Sequence, residues 1–145
     1  MRPDELAARE AVRESIARYA HAVDHGKFEA AAACFAETGV LEVRGSGRHE
    51  GRAAITEMFA GAGRKLASTS TNAFIRHHVS SIAIDVDVTA GRAAATSYFF
   101  VVTEIGPDHW GTYRDELTRD DTSGSWLFTE RNVTVEGRTA PSRMT

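Results

Sequence analysis

The first half of the chain carries apolar residues at helical spacing. They recur every three or four positions across residues 4–23, as Leu6, Val12, Ile16, Tyr19 and Val23. Acidic residues in the first turn suit the helix dipole, and Gly26 ends this helix. A second short helix is predicted from Phe28 to Phe35, broken by Gly39, and a third opens after Gly51.

The second half of the chain changes to a period of two, which is typical of strands. Residues 74–87 alternate, and further strands are predicted at 95–105, 109–119 and 125–135, with a shorter one at 40–43 and a turn at 44–48. This order predicts an α+β fold, with three N-terminal helices on a curved, mostly antiparallel sheet and an internal pocket. We expect one domain over residues 1–145, in which 137–145 form a flexible tail.

Composition narrows the classes of partner. The chain is 42% hydrophobic and 26% charged with a net charge of -3, so neither a nucleic-acid surface nor a polybasic membrane patch is expected. No apolar run approaches the roughly 20 residues of a membrane span, and a cytoplasmic protein is expected. Arginine outnumbers lysine by 15 to 2, which indicates a GC-rich bacterial genome. The single cysteine, Cys34, excludes an intrachain disulfide and is expected to be a small buried side chain.

Asp24 and His78 are the candidate catalytic pair. Asp24 closes the first helix and His78 lies in the strand-like run 74–79. A carboxylate that holds an imidazole fixes which ring nitrogen carries the proton, and the ring then transfers protons near neutral pH. Alternation places only one of His77 and His78 on the inner face, and parity with Ile82 and Ile84 favours His78 if no bulge intervenes.

Several segments, in this order, resemble the SnoaL-like branch of the nuclear transport factor 2 superfamily. They are Ile16–Phe28, Cys34–Glu37, Gly51–Ile55, His77–Val79, Gly111–Asp115 and Trp126–Arg131. The pattern of Tyr19, Asp24 and a strand histidine is similar to scytalone dehydratase, bile-acid dehydratases and polyketide cyclase-type members. The second strand histidine of scytalone dehydratase has no match in residues 99–103.

The resemblance implies roles for individual residues. Asp24 would orient His78, His78 would take a proton next to a carbonyl, and Tyr19 would donate a hydrogen bond to the substrate. Further side chains are expected to bind the substrate: Phe59, Phe99, Thr103, Trp110 and Tyr113. Trp110 and Tyr113 could instead belong to a subunit interface.

Other polar groups are expected to be structural. His21 and His25 lie one helical turn apart but lack a third ligand, so they are expected at the surface. Asp115 and Arg131 lie on neighbouring predicted strands and are expected to form a structural ion pair. The six histidines form no convincing ligand set and no dinucleotide-type glycine motif follows a strand, so neither a metal nor an organic cofactor is expected.

The fold implied by the resemblance hosts many chemistries, and three hypotheses stay open. The first is a cofactor-independent lyase, isomerase or cyclase, dehydratase-like, acting on a hydrophobic polycyclic or polyketide-like molecule in secondary metabolism. The second is a non-catalytic protein that binds small molecules, and the third is the small subunit of a ring-hydroxylating dioxygenase. A homodimer is expected, packed through the outer faces of the strands in residues 92–135, where Tyr98, Phe100 and Val102 lie.

Overall fold

The computed structural model describes residues 1–144, and in this range three helices and six strands are found. The helices are α1 (Pro3–Asp24), α2 (Phe28–Ala32) and α3 (Arg52–Ala67). The strands are β1 (Phe35–Val43), β2 (Gly47–Glu50), β3 (Ile75–Asp87), β4 (Arg92–Thr103), β5 (Gly106–Arg119) and β6 (Trp126–Arg138). They form one sheet in the order β2-β1-β6-β5-β4-β3, antiparallel except for the parallel pair β1 and β6. The predicted α+β fold is confirmed.

The region after α1 differs from the prediction. α2 ends at Ala32, and Phe35 already belongs to β1 instead of the helix. Gly39 therefore lies inside a strand, where a Cβ atom would come within 2.8 Å of the Phe128 carbonyl oxygen. Its role is to let β1 approach β6 closely, a role that glycine also plays in bulged strands. The predicted turn at 44–48 is also shorter, because β2 begins at Gly47.

The core lies between α1 and the inner face of the sheet. α1 directs Val12 and Ile16 inward, where they are fully buried with Phe35, Leu41 and Phe128. Cys34 is a buried free thiol next to this cluster, as predicted. Burial of these apolar side chains fixes α1 against the sheet and thereby fixes where its C-terminal residue lies.

A bulge in β3 sets which side chains face inward. The pairing of β3 with β4 shifts by one residue between Ser80 and Ala83, and Ser81 adopts a positive φ of 52°. A one-residue shift moves every later side chain to the opposite face. Residues 75, 77 and 79 therefore share the inner face with residues 82, 84 and 86.

A second bulge lies at the start of β5. Val101 of β4 pairs with His109, whereas Val102 pairs with Pro107, so Asp108 is the extra residue. Its side chain is fully buried. The bulge interrupts the alternation, so the consecutive side chains of Asp108 and His109 can both lie on the inner side of the sheet.

The C-terminal residues are hydrogen-bonded to this second bulge. Of the predicted flexible tail, Gly137 and Arg138 belong to β6. Beyond β6, the Thr139 amide donates to the Asp108 carbonyl over 2.9 Å. The Arg143 amide donates to the Asp108 carboxylate over 2.7 Å.

None of the helices in residues 1–144 has the length and apolar character of a membrane span.

Candidate active site

A cavity of about 840 Å³ lies between α1, α3 and the inner face of the sheet. Its wall is mostly apolar, with Met58, Phe59 and Leu66 contributed by α3. Polar side chains from separate elements also line it, among them Asp24, His49, His77, His109 and Arg138. A largely apolar cleft with a few convergent polar groups is the usual form of a small-molecule site.

Asp24 and His77 form a tightly held couple in this cavity. The carboxylate Oδ1 lies 2.6 Å from His77 Nδ1, and Oδ2 accepts a hydrogen bond from the His77 amide over 3.0 Å. Both side chains are largely buried, at 8% and 12% exposed. Because the carboxylate accepts from Nδ1, the neutral ring carries its proton there and presents a lone pair at Nε2.

The predicted pairing of Asp24 with His78 is wrong. His78 is exposed on the outer face of β3, where it lies opposite Phe100 of β4. The bulge between Ser80 and Ala83 reverses the alternation, so the parity of His78 with Ile82 does not hold across it. The structure thus brings Asp24 to the neighbouring histidine.

Tyr19 and Tyr113 contribute two buried hydroxyl groups to the cavity wall. Tyr19 lies among the rings of Phe35, Phe59 and Phe128, with the Tyr113 ring at 6.3 Å. Burial raises the pKa of Tyr19 to about 12, and burial also raises the pKa of Tyr113 above its ordinary value. Both phenols therefore keep their protons at neutral pH and can donate hydrogen bonds.

Arg131 and Asp115 form the predicted ion pair, which lies behind these two tyrosines and is fully buried. Two parallel hydrogen bonds of 2.7 and 2.9 Å join the groups, and the guanidinium lies 3.7 Å from the Tyr113 ring centroid and 4.4 Å from that of Tyr19. Burial would lower the pKa of Arg131, but the charge and hydrogen bonds of Asp115 outweigh it and raise the pKa. The pair fixes a cation against both aromatic faces.

Asp108 and His109 form a second couple that the sequence analysis missed. His109 Nδ1 lies 2.7 Å from Asp108 Oδ2, and the ring lines the cavity with an edge-on contact to Phe99. The only signal in the sequence is the adjacent pair Asp-His at the start of a strand. Adjacent strand residues normally point to opposite faces, so this signal requires the bulge to be known.

The other predicted binding residues divide into two groups. Phe59, Phe99 and Tyr113 line the cavity, and Phe99 stacks on Tyr113 at 4.5 Å. Trp110 and Thr103 do not belong to the lining. Trp110 is 38% exposed on the outer face, where its ring occupies the space next to Gly137, and Thr103 is buried outside the cavity wall.

The remaining histidines form no metal site in the part of the chain that the structure describes. His21 and His25 are exposed, as predicted, and their rings stack on each other at 6.1 Å. Within the described range 1–144, no three His, Cys, Asp or Glu side chains are arranged to hold a metal ion.

Solved structures of other proteins share this fold. A Catenulispora acidiphila protein in complex with S-DNPA is 29% identical, with 90% of this chain and 95% of that chain covered and a TM-score of 0.78. An NTF2-like protein with a cystatin-like fold from Novosphingobium aromaticivorans is 26% identical, with 95% and 88% covered and a TM-score of 0.77. A protein from the same organism, proposed to be a scytalone dehydratase, is 23% identical, with 96% and 91% covered and a TM-score of 0.81.

No curated protein sequence matches the chain. The family model of the SnoaL-like domain matches residues 4–132, which include α1, the Asp24–His77 couple and most of the sheet. The chain therefore belongs to the SnoaL-like family.

Proposed function

We propose that the protein is a cofactor-independent lyase, isomerase or cyclase, dehydratase-like in its chemistry, that acts on a hydrophobic small molecule. The observation that carries this proposal is the Asp24–His77 couple in the wall of a mostly apolar cavity. Two comparisons support it. The chain belongs to the SnoaL-like family, and one structural neighbour is proposed to be a scytalone dehydratase. A polycyclic or polyketide-like substrate suits a cavity of this volume and lining.

The proposed reaction begins with proton removal next to a carbonyl group. His77 Nε2 takes the proton, and the electron pair of the broken C–H bond moves into the carbonyl to form an enolate. Asp24 stabilises the resulting imidazolium, and a Tyr19 or Tyr113 hydroxyl donates to the enolate oxygen. The imidazolium then returns the proton, to a departing hydroxyl in a dehydration or to a second carbon in an isomerisation.

A test that does not require the natural substrate uses 5-nitrobenzisoxazole. A positioned base removes its C3 proton, the N–O bond breaks, and the electron pair remains on the phenolate oxygen that is observed by absorbance. We expect His77→Gln to reduce the protein-catalysed rate by about 10²–10⁴-fold, since the base is lost.

The matched control is His78→Gln, which changes the adjacent exposed histidine and should leave the rate unchanged. Circular dichroism and thermal unfolding would show that both variants fold. A rate that His77→Gln does not lower, or a wild-type rate no higher than that of free imidazole, would leave the non-catalytic binding protein as the better hypothesis.

We also propose that the protein forms a homodimer through the outer face of β3, β4 and β5. Tyr98 is 56% exposed there, with Phe100 and Trp110 also exposed on the same part of the sheet. An aromatic patch of this kind on a soluble protein is typical of an interface. Light scattering at micromolar concentration should give the dimer mass, and Tyr98→Glu together with Phe100→Glu should give the monomer. A monomeric wild-type protein would refute this proposal.

A further inference from the structure

His109 has a free ring nitrogen in the cavity. Nδ1 is taken by Asp108 Oδ2, and among residues 1–144 no hydrogen-bond partner is found for Nε2. The Asp108 carboxylate also accepts from Ser142 Oγ and from the Arg143 amide, each over 2.7 Å. These donors hold the carboxylate still, so the imidazole that it holds has a defined orientation.

The charges around His109 favour its neutral form. Burial lowers the pKa of His109, and the charges of His77 on β3 and Arg138 on β6 lower it further, while Asp108 on β5 opposes them. Burial opposes ionisation of Asp108, but the Arg143 amide, His109 and Ser142 outweigh it and lower the pKa of Asp108. An ionised carboxylate at Nδ1 and a neutral ring together leave a lone pair at Nε2.

We propose that His109 is a specificity-determining residue that accepts a hydrogen bond from a substrate hydroxyl through Nε2, with Asp108 as its positioning residue. The inference rests on the proposed function, because the same cavity must hold the substrate. It adds that the substrate carries a hydroxyl group in addition to the acidic C–H bond that His77 attacks. A neutral His109 selects a hydroxyl over an acceptor-only group such as an ether, because Nε2 has no proton to donate.

The test compares ligands that differ by one hydroxyl group. Binding of 1-indanone and of 4-, 5- and 6-hydroxy-1-indanone would be measured by isothermal titration calorimetry. We expect at least one hydroxylated isomer to bind about threefold to tenfold more tightly than 1-indanone, the gain typical of one net hydrogen bond. His109→Phe should abolish this preference, because a phenyl ring fills the space without accepting.

The matched control is His78→Phe, which makes the same change at an exposed histidine outside the cavity wall. This variant should keep the preference for the hydroxylated isomer. If no isomer binds more tightly than 1-indanone, or if His109→Phe keeps the preference, the proposal is wrong even where His77→Gln abolishes the elimination reaction.

Two further readouts separate a positioning role from a structural one. In Asp108→Asn, nitrogen NMR should show His109 populating the other tautomer, with its proton at Nε2, and the preference for the hydroxyl should fall. In the wild-type protein the preference for a hydroxyl over a methoxy group at the same ring position should disappear as the pH falls through the His109 pKa, because an imidazolium donates to either oxygen and accepts from neither. A preference that persists once NMR shows a charged ring would overturn the proposal without any variant.

Discussion

The cavity contains two aspartate–histidine couples that are built differently. Asp24 and His77 come from segments 53 residues apart, a helix end and a strand, and the carboxylate binds both the ring and the backbone of the same histidine. Asp108 and His109 are neighbours in sequence. The Asp108 carboxylate also accepts hydrogen bonds from the C-terminal residues Ser142 and Arg143. The first couple thus concentrates its contacts on one histidine residue, whereas the second shares them between an imidazole and two C-terminal residues.

The two carboxylates therefore stabilise different parts of the molecule. Loss of the Asp24 carboxylate releases a ring and one strand amide, both at the site of the proposed proton transfer. Loss of the Asp108 carboxylate releases a ring and also the Ser142 hydroxyl and the Arg143 amide, which lie next to Met144 at the cavity wall. We therefore expect the first change to affect turnover most and the second to affect stability most.

The largest expected effect is that of Asp24→Asn on turnover. An amide cannot stabilise the imidazolium and can hold His77 in the wrong tautomer, so the rate with 5-nitrobenzisoxazole should fall by about 10²-fold or more. The double variant with His77→Gln should be little slower than His77→Gln alone, because the two residues act as a unit. The control is Asp85→Asn, at an exposed position on β3, the strand that carries His77, and it should keep the wild-type rate. Additive losses in the double variant would show that the two residues act separately.

A smaller effect is expected for Asp108→Asn, on unfolding. The buried carboxylate accepts from three groups, and an amide cannot accept from all of them, so the free energy of unfolding should fall by about 1–3 kcal/mol. Ser142 and Arg143 lose their bonds to this carboxylate, so trypsin should cut faster at Arg143. Asp121→Asn, at a side chain that is 91% exposed, is the control in the same urea titration and digestion. Unchanged stability and unchanged digestion would show that Asp108 does not hold this segment.

The sequence predicted the fold and Asp24 of the first couple, for identifiable physical reasons. Apolar periodicity is a property of long segments, so α1 and the four long strands could be placed within a few residues. Asp24 could be found because it ends a helix whose buried face fixes its position. The choice between His77 and His78 depended on a bulge at Ser81, a residue type that gives no signal for positive φ.

The second couple was beyond such reasoning for the same physical reason. Asp108 is the extra residue of the β5 bulge, and a strict alternation would have directed it away from the side that His109 faces. Its remaining partners, Ser142 and Arg143, lie in a segment without apolar periodicity that was predicted to be flexible. Hydrogen bonds to one buried carboxylate join these residues to β5, and such long-range pairings leave no local pattern in the sequence.

The smallest expected effect is the pH dependence of stability that His109 contributes. The pKa of His109 is lowered in the folded protein, mainly by burial. An unfolded histidine has its ordinary pKa of about 6.5. Below that value the unfolded chain binds a proton that the folded chain resists, so this contribution to stability is complete above about pH 6.5. It is lost progressively as the pH falls towards and through the folded pKa. Urea unfolding between about pH 8 and about pH 5 should therefore show a decline that His109→Phe reduces and His78→Gln, at the exposed position, leaves unchanged. An identical decline in His109→Phe and the wild-type protein would mean that other groups cause it, and that the second couple does not keep its imidazole neutral.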